Sequence, residues 1–310
     1  MGTEKTFLVF RYFFIEESQR ALEVSQLPEP KGRAVLAAIL GDREWIKNGI
    51  RYSFVGFGEV SPGSHDEFER QRFYIGKLAK LRQAQVGEKV PGDIIEHHED
   101  NWVPLLTVFD VATQTVAVQK DWQFGTPQQI GRALQAGVRG PILSEYNHRV
   151  FVEPKPSEGA FWEIIGSHRK IYRIEFNLVS PNILQTNKRA REALRSLKRL
   201  YGQDELSLKL KSDSGALTVP ENPTSDYINY IEHGEGGWKA TTEGDHGGKK
   251  TYSSSDVTET VSVDVPEEHM EGEDEAQLNL EGGTDSTERE KRNRSLVGQI
   301  YERIRDRIGG

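Results

Sequence analysis

The apolar positions of this chain change rhythm along its length. Residues 6–15, "TFLVFRYFFI", are an aromatic and β-branched run that predicts a buried strand. Pro28, Pro30 and Gly32 then mark a loop, and "RAVLAAIL" predicts a short apolar helix. Further on, "IRYSFVGFGEV" alternates Tyr52, Phe54 and Phe57 with small or polar residues, and "RFYIGKLAKLR" spaces Phe73, Ile75, Leu78 and Leu81 among others. "PLLTVFDVATQTVAVQKDW" predicts two strands around the polar turn Ala112–Gln114. A period of two across several short runs predicts an antiparallel sheet half exposed to water.

After residue 145 strands and helices alternate. "RVFVEP" reads as a strand, "EGAFWEIIG" as a helix and "KIYRIEFNLV" (170–179) as a strand stopped by "SPN", since Pro181 cannot continue a central strand. A helix over 187–202, "NKRAREALRSLKRLYG", follows, with Ala190, Ala193, Leu194, Leu197 and Tyr201 as its core-facing stripe and Gly202 as its stop. "ELSLKLKS" places Leu206, Leu208 and Leu210 on one face of a strand. "SDYINYIEHG" predicts a helix capped by Ser225 and ended by Gly234, and residues 235–265 a glycine-turned hairpin plus one more strand. The expected class is α+β: an antiparallel, β-rich N-terminal domain over 1–145 and an α/β-alternating domain over 146–263.

Composition changes the picture at the C-terminus. Hydrophobic residues make up 35% of the 310, and from Asp264 to Glu288 acids and glycine dominate without one aromatic. Such a segment has too little apolar surface to offset chain entropy, so 264–288 reads as a disordered acidic linker. It leads to "REKRNRSLVGQIYERIRDRIGG", where Val297, Ile300, Ile304 and Ile308 fall at helical spacings, predicting an amphipathic helix over 289–310. A helix this short needs a surface to dock on: its own domain, a protein partner or a second copy of the chain. The absence of cysteine removes disulfides, zinc–thiolate sites and cysteine nucleophiles and gives no support to secretion. The longest apolar runs, such as "AVLAAIL", fall far short of the roughly 18 residues that span a bilayer, so no membrane insertion and a cytoplasmic location are expected.

The common phosphate-binding signatures fail. "GFGEVS" at 56–61 lacks the third glycine of a dinucleotide loop, and "GDHGGKK" at 244–250 lacks the spacing of a P-loop, so no cofactor is implied. "EHHEDNW" at 96–102 is the densest set of potential metal ligands, led by His97 and His98. Adjacent histidines on a strand point to opposite faces, and the proline, glycine and charge around them predict an exposed loop. Glu153 and Lys155 form an E-x-K after a strand that resembles the metal-binding half of the restriction-type nuclease pattern, with Asp110 as the partner acid. Asp110 stands 43 residues upstream with a helix expected between, and Pro154 interrupts the motif; both depart from that pattern.

Charge singles out the helix at 187–202. Lys188, Arg189, Arg191, Arg195, Lys198 and Arg199 face a lone acid, Glu192, in a chain whose net charge is −8. Arg169, Lys170 and Arg173 stand near the start of the preceding strand and extend the basic character. Phosphate neutralisation by such a patch is the main sequence-independent source of affinity for DNA or RNA. The rival reading has the acidic linker covering the same charges.

The order "FYIGKLAKLR", "PLLTVFDVATQTVAVQK", "KIYRIEFNLVSPN" and "LSLKLKS", over roughly residues 50–262, resembles a type of bacterial protein encoded in prophages, plasmids and anti-phage islands. The resemblance implies a role in phage defence or mobile-element biology and carries over no functional residue. The sequence thus leads to a defence-associated component that contacts nucleic acid through its basic helix. The alternatives are an assembly subunit that uses residues 289–310, and a metal-dependent nuclease.

Overall fold

The run at 6–15 lies within β1 (Thr3–Glu16), and its lack of polar alternation follows from its position. In the computed structural model, which describes residues 3–17, 24–60, 72–179, 200–201, 205–244, 247–265 and 295–303, β1 is apolar on both faces and paired along both edges. Leu8, Phe10, Tyr12 and Phe14 enter the largest core. Phe7 and Val9 enter a second core on the opposite face, and Phe13 and Ile15 a third.

One edge of β1 is shared by two strands laid end to end. β12 (Thr260–Val265) pairs with Thr3–Leu8 and β7 (His148–Pro154) with Phe10–Glu16, both antiparallel. They meet at Val9, whose N–H donates to the Glu259 carbonyl at 3.0 Å and whose carbonyl accepts from the Lys155 N–H at 2.9 Å. The Glu259 N–H donates to the Lys155 carbonyl at 2.7 Å, and the Lys155 and Glu259 side chains form a largely buried ion pair over the joint. On the other edge lies β6 (Thr115–Gln119), followed outward by β5 (Asp93–Asp110), β4 (Phe73–Val90), β3 (Ile50–Val60) and β2 (Arg43–Lys47). The sheet therefore takes strands from both sides of residue 145.

β4 and β5 are each 18 residues long and stay paired from Phe73↔Asp110 out to Val90↔Asp93, turning at Pro91 and Gly92. Their outer halves, residues 82–101, leave the sheet as a two-stranded ribbon. "EHHEDNW" belongs to this ribbon, a correction to the loop expected there. Backbone pairing orders it, joined by a hydrogen bond from the Gln85 amide to the Glu96 carboxylate, and polar side chains on both faces hide the strand.

The first face is covered by a 3-10 turn (Lys31–Val35), by α1 (Leu36–Ile39) and by α2 (Pro127–Tyr146). A capping box starts α2: the Gln129 N–H donates to Thr126 Oγ1 at 3.3 Å, and the Thr126 N–H donates to Gln129 Oε1 at 2.9 Å. Ile130, Ala133, Leu134, Val138 and Ile142 then form its buried stripe. Gly137 permits the closest approach: a Cβ there would lie 2.7 Å from ring atoms of Phe54 and Trp45.

On the opposite face residues 295–303 form a helix, α5, whose Leu296, Val297 and Ile300 pack on Phe7, Val9, Phe73, Ile75, Leu106, Val108 and Val261. Of the three surfaces open to this helix, the chain's own sheet takes its apolar stripe; Ile304 and Ile308 lie outside the described residues. Arg72 fastens it further, its guanidinium 4.5 Å from the Tyr301 ring centroid and bonded through two nitrogens to Asp110 at 2.9 and 2.8 Å.

The second sheet has the order β11-β10-β8-β9, built from β8 (Lys170–Val179), β9 (Glu205–Lys211), β10 (Gly236–Glu243) and β11 (Lys249–Ser253). One face holds Ile174, Phe176, Leu178, Trp238 and Ala240 against Phe161 of α3 (Ala160–Gly166) and Ile228 and Ile231 of α4 (Glu221–Glu232). α4 begins before Ser225, with Asn222 off helical geometry (φ −107°, ψ 118°), so the expected serine cap is not at its start; Gly234, φ +78°, follows its end as expected. The two antiparallel sheets and their helices make the chain α+β, with strand predominant. Among the described residues, no helix is long and apolar enough to cross a membrane.

The packing of α5 yields a test. Replacing Leu296 and Ile300 together by alanine is expected to lower unfolding free energy by about 4 kcal/mol or more, from burial lost and cavity left. Urea titration should give the same loss at every protein concentration, because the surface covered belongs to the same chain.

Candidate nucleic-acid interface

On the side away from α3 and α4, the second sheet packs Val179 against Phe13, Ile15 and Phe151 at one end and turns its other alternating positions outward. With Trp238 and Phe176 facing inward, Lys239 and Glu175 face out, and the register sets Lys239 beside Glu175 and Glu175 beside Lys209. The next row brings Thr251, Thr241, Arg173 and Lys211 together. A register shift at Thr241/Thr242 then puts Tyr172 on the same side as Glu243. There the Tyr172 hydroxyl donates to Glu243 Oε2 at 2.6 Å, Lys170 Nζ donates to Oε1 at 2.8 Å, and Lys249 Nζ lies 3.8 Å from the Tyr172 ring centroid. The hydrogen bond from Lys170, joined by that from Tyr172, holds the Glu243 carboxyl below its ordinary range.

Six cations, Lys170, Arg173, Lys209, Lys211, Lys239 and Lys249, thus share this face with four carboxylates, Glu175, Glu205, Asp213 and Glu243. Three of the acids are engaged: Arg173 pairs with Glu175, Lys170 with Glu243, and Lys211 with Asp213 at 2.7 Å. Among the described residues no ion pair links a carboxylate to Lys209, Lys239 or Lys249, and the face keeps an excess of two positive charges. Lys188, Arg189, Arg191, Arg195, Lys198 and Arg199 lie outside the described residues, as does most of the acidic linker. Their segment joins Val179 of β8 to Glu205 of β9, two residues paired at one end of the same sheet. Lys209, Lys211, Lys239 and Lys249 escaped the sequence reading. Only the leucines of "ELSLKLKS" were used there, and strand pairing alone brings the hairpin lysines alongside.

The other candidates fall in two places. Glu153, Arg11, Thr115 and Asp110 form one row across β7, β1, β6 and β5. Three strand spacings separate Glu153 from Asp110, about 14 Å. Asp110 is occupied by Arg72 and also accepts from the N–H groups of Ala112 and Thr113, at 3.0 and 3.3 Å, to close the β5–β6 turn. Lys155 is paired with Glu259. Burial, reinforced by nearby Glu205 and opposed by Arg132, raises the Glu153 carboxyl from 4.5 to about 7. A carboxyl poised there can pass a proton at neutral pH, but neither Asp110 nor Lys155 is brought to it for metal-assisted hydrolysis.

His97 and His98 stand on the ribbon, where alternation turns them to opposite faces; His97 Nε2 lies 2.9 Å from Glu99 Oε1. Among the described residues no group of three or more histidine, aspartate and glutamate side chains is placed to hold a metal ion.

A family model described as "Domain of unknown function (DUF4747)" matches residues 73–279, more than half of the chain. The chain belongs to the DUF4747 family. Neither curated proteins nor solved structures give a match. The DUF4747 region starts at the first residue of β4 and takes in the ribbon, α2, β7, the whole second sheet and β12. β1, β2, β3 and α5 lie outside it, although β1 is the strand on which β6, β7 and β12 converge.

Glu153 supplies a pH test. A carboxyl whose value is raised by folding adds stability that is complete below its unfolded value and lost as pH rises through the folded one. The melting temperature should therefore fall between about pH 5 and about pH 8, by roughly 2–4 °C per kcal/mol lost. Glu153→Gln should flatten that part of the profile and melt higher than wild type at the alkaline end.

Proposed function

We propose that this DUF4747 protein is a cytoplasmic, nucleic-acid-contacting component of a bacterial mobile-element or anti-phage system. The contact surface is the open face of the second sheet together with the basic segment that joins β8 to β9. The observation that carries this reading is the charge imbalance: among the described residues, six cations meet four carboxylates on one sheet face of a chain whose net charge is −8. Added to them are Lys188, Arg189, Arg191, Arg195, Lys198 and Arg199, on a segment that leaves and rejoins the sheet at one end.

A cationic sheet face binds chiefly by displacing counterions from phosphates, so the expected affinity depends on salt far more than on sequence. Tyr172, with Lys249 across its ring and its hydroxyl on Glu243, holds that lysine on this face. The defence or mobile-element setting rests on the order of segments in the sequence, and the location on the absence of cysteine.

Fluorescence anisotropy with labelled double- and single-stranded DNA and with RNA tests the reading. Six phosphate contacts would weaken binding by about a thousandfold between 50 and 200 mM salt. Lys209→Glu, Lys239→Glu and Lys249→Glu combined should abolish most of the affinity, as should Arg191→Glu, Arg195→Glu and Arg199→Glu combined. Unchanged binding by both triple variants, with the fold intact by circular dichroism, would refute the proposal.

A further inference from the structure

The β4–β5 ribbon is the part of the first sheet with no core of its own. Residues 82–90 and 93–101 are paired to each other, and β3 and β6 reach only the inner halves of β4 and β5. Nine residues per strand carry the ribbon about 30 Å from the sheet. Along that length the outer edges present backbone N–H and C=O groups with no strand beside them among the described residues. An isolated two-stranded hairpin is marginally stable in water, so a third strand contributes more here than it would on a packed sheet.

The ribbon's side chains indicate what kind of strand that is. Glu88, Asp93, Glu96, Glu99 and Asp100 outnumber Arg82 and Lys89, for a net charge of −3 with both histidines neutral. That sign repels phosphate and favours a basic protein edge. Charge alone would also keep a bare edge from pairing at random. Yet Ile94 and Ile95 beside the turn are 64% and 52% exposed, and Trp102 at the base is 37% exposed, which a ribbon designed only to stay in water does not need.

A matching edge stands on the same chain. Among the described residues β9 closes the second sheet at one side; its outward residues are Glu205, Ser207, Lys209 and Lys211, with the basic pair at its C-terminal end, and Leu210, on the alternate side, is 40% exposed. We infer that the ribbon of one copy pairs with the β9 edge of a second copy, extending that sheet by strand addition. Glu96 and Asp100, on one side of β5, lie beside Lys211 and Lys209, and Ile95, on the other side, lies near Leu210. Backbone pairing supplies the attraction and the charges choose the partner. This inference does not require that nucleic acid bind.

The test measures the mass of the full chain by light scattering across a concentration series, at low and high salt. Wild type should self-associate, more weakly as salt rises. Glu96→Lys, Glu99→Lys and Asp100→Lys combined should raise the dissociation constant roughly tenfold or more. Lys209→Glu with Lys211→Glu should do the same. These residues are exposed and outside the cores, and mixing the two variants answers any question of folding. In the mixture each basic ribbon meets an acidic edge and each acidic ribbon a basic edge, so association should return. A wild-type chain that stays monomeric, association indifferent to either reversal, or a mixture that fails to recover would overturn the inference. Nucleic-acid binding by the ribbon variant reports separately, since that variant leaves every basic residue of the proposed contact surface in place.

Discussion

Every other strand of the first sheet depends on β1 being satisfied on all sides. A strand buried on both faces has no water to satisfy its backbone, so each N–H and C=O along it must find a protein partner. β6 supplies one edge, but the other takes two strands, β12 and β7, drawn from opposite ends of the second half of the chain. At Val9 the three strands share hydrogen bonds, and the Lys155–Glu259 pair closes the gap above them. Breaking one partner of so buried a pair leaves the other charge without compensation, which is why the joint resists rearrangement. The second sheet is positioned from this joint as well: the chain runs from β7 into α3 and β8, and Val179 packs with Phe13, Ile15 and Phe151.

The face of the first sheet opposite α2 is divided in the same way. Glu153, Arg11, Thr115, Asp110 and Arg72 make a polar band between the apolar surface under α5 and the smaller one under Val179. Arg11 Nη1 donates to the carbonyl of His233 at 2.7 Å, so the band also holds the loop after α4. Residues that read in the sequence as half of a nuclease centre sit instead in the seam between two packing surfaces. Asp110 closes a turn and grips Arg72, and Lys155 neutralises Glu259.

Legibility in the sequence followed the burial of each element. β1, β7, β8, β10 and α3 were evident because one or both faces are apolar, and the β5–β6 turn because polar residues interrupt two valine-rich runs. The ribbon was not, since "EHHEDNW" has neither period two nor an apolar face. Nor did periodicity disclose that 148–154 and 260–265 return to β1: pairing partners far apart in sequence leave no local trace. The candidate interface was half legible. The run from Lys188 to Arg199 is conspicuous in the sequence, and Lys170 and Arg173 were noticed with it. Lys209, Lys239 and Lys249 become neighbours only through the register of β9, β8, β10 and β11.

The same topology bears on how the chain is made. β1, a strand apolar on both faces, is made well before residues 260–265, which fill the first half of one of its edges. Until those residues emerge that edge is bare, a template on which any passing strand could settle. Pairings so distant in sequence also close slowly. A nascent chain of this design therefore depends on the early hairpins and α2 to shelter β1 until β12 arrives.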